Sequence, residues 1–209
     1  MWAGIRCLNV ALLMLVTLPA PAQMGGKLGF MSKRTGFFVL TSTSYNGNLG
    51  GLAGADAKCL TELTSLDWKG KTRAILDSQH VKAFLCATNN CSSPRPFTSY
   101  YFATAGSTTS GGGLMITDEN SKGPSNNENW GAVDKFNVTG GRYWAGRASV
   151  DGTQYDTLAS SFNCADWLSN SLVVPGATGL PSTTTGSRWF DASNTPCNES
   201  HRLICLVHP

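Results

Sequence analysis

The chain has 209 residues, 41% of them hydrophobic and 14% charged, with a formal net charge of +3. That length closes one real core, and 16 Lys and Arg against 13 Asp and Glu exclude strong steering toward nucleic acid or an anionic bilayer. Glycine, serine, threonine and asparagine dominate the rest, a mix that predicts short strands joined by long turns.

Residues 1–22 read as an export signal. Arg6 supplies the positive charge, Leu8 to Leu18 the apolar run, and Pro19 followed by Ala20-Pro21-Ala22 the break and the small residues that a signal peptidase inspects. The run is too short to span a bilayer as a mature helix, so no membrane insertion is expected once it is removed. The protein is accordingly expected to be secreted or otherwise extracytoplasmic. Cys7 leaves with the signal, and Cys59, Cys86, Cys91, Cys164, Cys197 and Cys205 remain, an even set that in an exported chain reads as disulfides. No Cys-x-x-Cys pair occurs, and His80, His201 and His208 lack ligand spacing, so neither a structural metal nor a cofactor is expected.

After a flexible leader, residues 23–36, one domain is expected over 37–209. Phe37 to Thr41 is β-rich and apolar, a first strand. The glycine-punctuated turn 45–54 leads into a helix whose Leu52, Ala55, Cys59, Leu63 and Leu66 recur at spacings of three and four and so face the core. Thr72 to Leu76 reads as a second strand. Just there Lys69, Lys71 and Arg73 alternate, which places them on one strand face as a candidate contact for a sulfated glycosaminoglycan. Cys86 to Cys91 is an Asn-rich tight turn whose ends suit a local bridge. Residues 103–113 and 119–129 read as low-complexity loops around a short strand, Leu114 to Thr117. Strand character returns at Arg142 to Ala145 and at Cys164 to Trp167. A long polar loop runs from Leu168 to Arg188, and Arg202 to Val207 closes the chain.

The stretch Leu49-Gly50-Gly51-Leu52-Ala53-Gly54-Ala55-Asp56-Ala57-Lys58-Cys59 resembles the turn and first helix of endostatin, the collagen C-terminal domain. It is more similar still to a bacterial exported family of unknown function that shares that C-type-lectin-like fold. Lys71 to Leu76, Tyr143-Trp144-Ala145-Gly146 with Asp151-Gly152-Thr153, Cys164 with Trp167, and Cys197 with Leu203-Ile204-Cys205 continue the likeness over 37–76 and 142–207. The resemblance implies an α+β, C-type-lectin-like fold with short antiparallel strands, one main N-terminal helix and a long polar loop. It also implies the pairs Cys59–Cys205 and Cys164–Cys197, which leave Cys86 for Cys91.

Calcium-dependent sugar binding, common in that fold, needs hard oxygen ligands. The loop Leu168 to Arg188 has no Asp or Glu, Asn170 is its only amide, and Trp189-Phe190-Asp191 keeps just the outer residues of the Trp-Asn-Asp motif. Asp118-x-Asn120-x-Lys122-Gly123 imitates an EF-hand start but puts a cation where an oxygen is required. Endostatin's zinc-binding N-terminal histidines are missing too. No Gly-x-Ser-x-Gly elbow is present, so the chain reads as a binding module and not an enzyme. Trp144 and Trp167 are expected in the core. Trp130 and Trp189, with Asn170 and Asp191, are the candidate ligand contacts on a loop surface formed by 118–130 and 168–191, facing an extracellular protein or glycan. A structural envelope or matrix component is the second reading and a hydrolase the third. Asn137 and Asn198 begin acceptor sequons, for which chance in an Asn-rich chain is the default reading.

Overall fold

The computed structural model describes residues 35–68, 75–106, 110–121, 136, 141–147, 161–181 and 192–209. The expected export signal and the expected leader as far as residue 34 lie outside the described residues, while Thr35 and Gly36, expected to end that leader, open β1. The elements are β1 (Thr35–Leu40), α1 (Gly51–Ser65), β2 (Val81–Ala83), β3 (Cys86–Ala87), β4 (Asn90–Cys91), β5 (Ser99–Thr104), β6 (Ser110–Ile116), β7 (Tyr143–Trp144), β8 (Pro175–Gly179), β9 (Ser193–Pro196) and β10 (Ile204–Val207). The fold is α+β and disulfide-braced, as expected.

A five-stranded sheet in the order β2-β10-β1-β5-β6 forms the frame, with β7-β8-β9 as a second sheet and β3-β4 as a hairpin. Phe37 to Leu40 of β1 and all of β10 are uninterrupted apolar runs because both faces of the sheet are covered. Val39, Cys205 and Val207 pack with Ala55, Cys59 and Leu63 of α1. Phe38, Leu40, Ile204 and Leu206 point the other way, into a layer with Phe84, Tyr100, Phe102 and Met115. β1 pairs antiparallel with β10 but parallel with β5, so the sheet is mixed and not purely antiparallel.

The entry to α1 uses glycine for a physical reason: Gly50 sits at φ 83, where a side chain would be strained, and the helix has no side-chain cap. Another acceptor fastens the preceding segment. The Glu62 carboxylate, buried on α1, accepts from Ser42 N (2.6 Å), Ser42 Oγ (2.8 Å) and Tyr45 Oη (3.2 Å).

The cystines pair as the resemblance implied: Cys59–Cys205, Cys164–Cys197 and Cys86–Cys91. The first joins α1 to β10 across 146 positions and on chain-entropy grounds contributes about 5 kcal/mol. The last spans 5 positions and pins only the hairpin.

Several expected elements differ. Residues 103–113 are not one loop, since Ala103 and Thr104 end β5 and Ser110 to Gly113 belong to β6. Ile75 and Leu76 lie outside any strand, while 69–74 fall outside the described residues. The stretch Leu168 to Arg188 contains β8, whose Gly176 passes between the Trp144 ring and the Cys164 sulfur, where a side chain would collide. Cys164 to Trp167 is not a strand at all but a tight turn of opposite hand to an α-helix.

Candidate functional site

That turn positions the first candidate surface. Cys164, Ala165, Asp166 and Trp167 take positive φ (52, 52, 57 and 66°) in succession, a left-handed conformation that costs about 1–2 kcal/mol per non-glycine residue. Four sets of contacts hold it. Cys164 is bonded to Cys197. Asn163 Oδ1 accepts from Asp166 N at 3.1 Å. The Asp166 carboxylate accepts from Thr88 N (2.6 Å), Thr88 Oγ1 (2.7 Å) and Asn163 Nδ2 (2.9 Å). The Trp167 indole N–H donates to Cys86 O at 2.8 Å, and Leu49 N donates to Trp167 O at 2.9 Å. The Thr88 amide and hydroxyl hold the Asp166 carboxyl below its ordinary pKa.

The chain leaves this anchored turn outward. Leu168 is 62% exposed, Leu172 68% and Val173 85%, before Val174 returns to pack against the core and its carbonyl accepts from Cys197 N. Three large apolar side chains are thus displayed on a segment fixed at both ends. Asn170 lies exposed among them.

Two depressions flank the segment Thr43 to Tyr45. The larger, about 520 Å³, lies between that segment and α1, with Tyr45, Lys58, Thr61 and Glu62 in its walls. Its carboxylate is spent on the Ser42 and Tyr45 bonds above, and Lys58 Nζ sits 5.5 Å from the Tyr45 ring centre, so the polar groups there already serve one another.

The smaller depression, about 430 Å³, is lined by Ser44, Gly141, Arg142, Leu180, Ser200, His201 and Arg202. Backbone pairing assembles it from distant parts of the chain. Tyr45 and His201 exchange amide bonds (2.8 and 2.9 Å), Arg202 N donates to Arg142 O (3.1 Å), and Trp144 N donates to Arg202 O (2.9 Å). Arg142 Nη1 is steered by Ser193 Oγ (2.6 Å) and Thr178 Oγ1 (3.2 Å). The His201 ring stands edge-on to buried Trp144 at 4.5 Å, with Nε2 3.0 Å from Thr195 Oγ1 and 3.2 Å from Glu199 Oε2. Burial lowers its pKa, Arg142 adds to the fall, and Glu199 opposes it.

Trp144 and Trp167 are fully buried, as expected, and His201 packs edge-on against Trp144. Trp130, Trp189, Asp191, Lys69, Lys71, Arg73 and Asn137 lie outside the described residues. Asn198 is exposed in the turn after Cys197. Sequence reading missed the depression that Arg142 and Arg202 line together, because only the Tyr143–Arg202 bridge brings these two distant stretches of chain to one place. Among the described residues no cluster of His, Cys, Asp or Glu is arranged to hold a metal, and no helix is long and apolar enough to cross a membrane.

No curated protein matches the chain. The model of the family described as Protein of unknown function (DUF1554) matches residues 42–184, more than half of the chain and inclusive of α1, the β3-β4 hairpin, the left-handed turn and the exposed loop, and the chain belongs to that family.

Proposed function

We propose that the chain is an extracytoplasmic, C-type-lectin-like binding module that recognises a partner without calcium, and not an enzyme. The three cystines support an oxidising compartment, and their pairing together with the β1–β10 closure supports the fold assignment. One observation carries the binding reading: Leu168, Leu172 and Val173 are held exposed on a segment whose ends are fixed by the Cys164–Cys197 bond and the left-handed turn. Apolar residues displayed on pre-organised backbone are the usual anchors of a protein interface, because little ordering entropy remains to be lost on contact. The segment 168–174 displays aliphatic side chains and carries no charged residue, which favours a protein partner over a glycan at this face.

The test is a screen of immobilised extracellular proteins and glycans with the folded wild-type chain and a Leu168→Ser, Leu172→Ser, Val173→Ser variant. A protein hit should weaken by roughly 10-fold or more in the variant, whose melting temperature stays close to wild type. Silence of the folded wild type across both arrays would leave a structural envelope or matrix component. Turnover abolished by one Asp, Glu or His substitution would replace both readings with a hydrolase.

A further inference from the structure

We infer that the depression between Arg142 and Arg202 is a binding site for an acidic sugar, one carrying a carboxylate or a sulfate. It shares no lining residue with the exposed segment from Leu168 to Val174, so it stands independently of the function proposed above.

Arg142 and Arg202 both line this one depression. Residues 142 and 202 are joined by a backbone hydrogen bond beside the Tyr143–Arg202 bridge, which brings the two chain segments to the wall of the same depression. Two cationic residues in the wall of one concavity make it attractive to an anion. Among the described residues no carboxylate forms an ion pair with either arginine, and the nearby Glu199 is engaged with His201. An external oxyanion fits there, because guanidinium groups recognise one through paired N–H donors.

Pre-organisation is the second step. Ser193 and Thr178 hold one nitrogen of Arg142, so its orientation is set before any ligand arrives. Beneath the site His201 rests on buried Trp144, and its ring is fixed by Thr195. These supports lie on β7, β8 and β9, the ordered second sheet.

The remaining lining defines the body that carries the anion. A volume of about 430 Å³ suits a small ligand or one to two sugar units of a longer one. Ser44 and Ser200 offer hydroxyls, and both are exposed. Among the described residues Leu180 is the one large apolar side chain in the lining, and no Trp, Tyr or Phe lines it, which suits a polyol better than a nucleobase. A polyol bearing one oxyanion matches hydroxyls beside two guanidinium groups.

Isothermal titration of the full chain would use three tetrasaccharides: an unsulfated hyaluronan fragment, which carries carboxylates alone; a κ-carrageenan fragment, which carries sulfates alone; and neutral cellotetraose. At least one acidic fragment should bind 10-fold or more tighter than cellotetraose, and which one separates carboxylate from sulfate. Affinity should fall with added salt, and Arg202→Gln should lower it by about 10-fold or more, the loss of a charge-assisted hydrogen bond. Lys58→Gln, an equal charge change outside the depression, should leave it unaltered. Amide shift mapping on the wild type should place the acidic fragment at Ser44, Gly141 and Ser200, which keeps the inference testable if Arg202→Gln folds poorly. No binding of either acidic fragment by folded wild type, equal binding of cellotetraose, or shifts confined to other residues would overturn it.

Discussion

On the α1 side of the main sheet the core contains two of the three cystines, Cys59–Cys205 and Cys164–Cys197, among small and aliphatic side chains with Trp144 and Trp167. On the opposite side no cystine lies in the core, and the space is filled by rings: Phe38 lies 5.1 to 5.2 Å from Phe84, Tyr100 and Phe102, and Phe102 meets Phe136 at 5.3 Å. The two faces therefore resist unfolding through different states. A cross-link acts mainly by restricting the unfolded chain, whereas ring packing acts in the folded one.

Removing Cys59 and Cys205 together as alanines should have the largest effect, about 5 kcal/mol, and should raise the denaturant slope because the unfolded chain becomes more open. A urea titration that shows the loss with an unchanged slope would place the cystine's contribution in the folded state instead. Phe38→Ala should cost about 3–5 kcal/mol through the hole it leaves among three rings, with the slope unchanged. A rise in slope there would erase the distinction between the faces.

Acid sharpens the contrast further. At the edge of the ring-packed face Tyr100 Oη accepts from Arg95 N (2.8 Å) and lies 2.9 Å from His208 Nδ1, an arrangement that suits a neutral imidazole accepting the phenolic proton. Burial chiefly, with Arg95 next, pulls the His208 pKa down from 6.5 to about 4. The folded state thus favours the uncharged ring, so this contribution is complete above pH 6.5 and is lost as pH falls from 6.5 toward 4. The loss is about 3 kcal/mol at most. His208→Gln keeps an acceptor for Tyr100 and should flatten that part of the stability profile, measured as the urea midpoint against pH. The same acid sensitivity in the variant would assign it to other groups.

Much of the frame was legible in the sequence because it rests on local signals. Phe37 to Leu40 and Ile204 to Val207 are apolar runs, Ala55, Cys59 and Leu63 recur at helical spacing, and the Asn-rich stretch between Cys86 and Cys91 is a turn by composition. What escaped depends on partners. The end of β5 and the start of β6 hide in Ala, Ser, Thr and Gly, and they become strands only because each completes the other's ladder. Cys164 to Asp166 carries no glycine or asparagine to announce positive φ; the conformation is imposed by Thr88, Asn163 and the bond to Cys197. The exposed leucines lie inside the loop surface expected to bind, whereas the Arg142–Arg202 depression needs residues 44, 142 and 201 brought together across most of the chain.

The Cys59–Cys205 bond also has a consequence for the order of events at birth. A chain made from its N-terminus presents Cys59 146 positions before its partner, while Cys86 and Cys91 emerge together and are free to close at once. During that interval the Cys59 thiol is open to exchange with every cysteine that appears before Cys205, and thiolate attack on a closed bond is how such mispairings both form and are corrected. The cystine that stabilises least is thus the first that can be made, and the one that stabilises most must wait for the last strand.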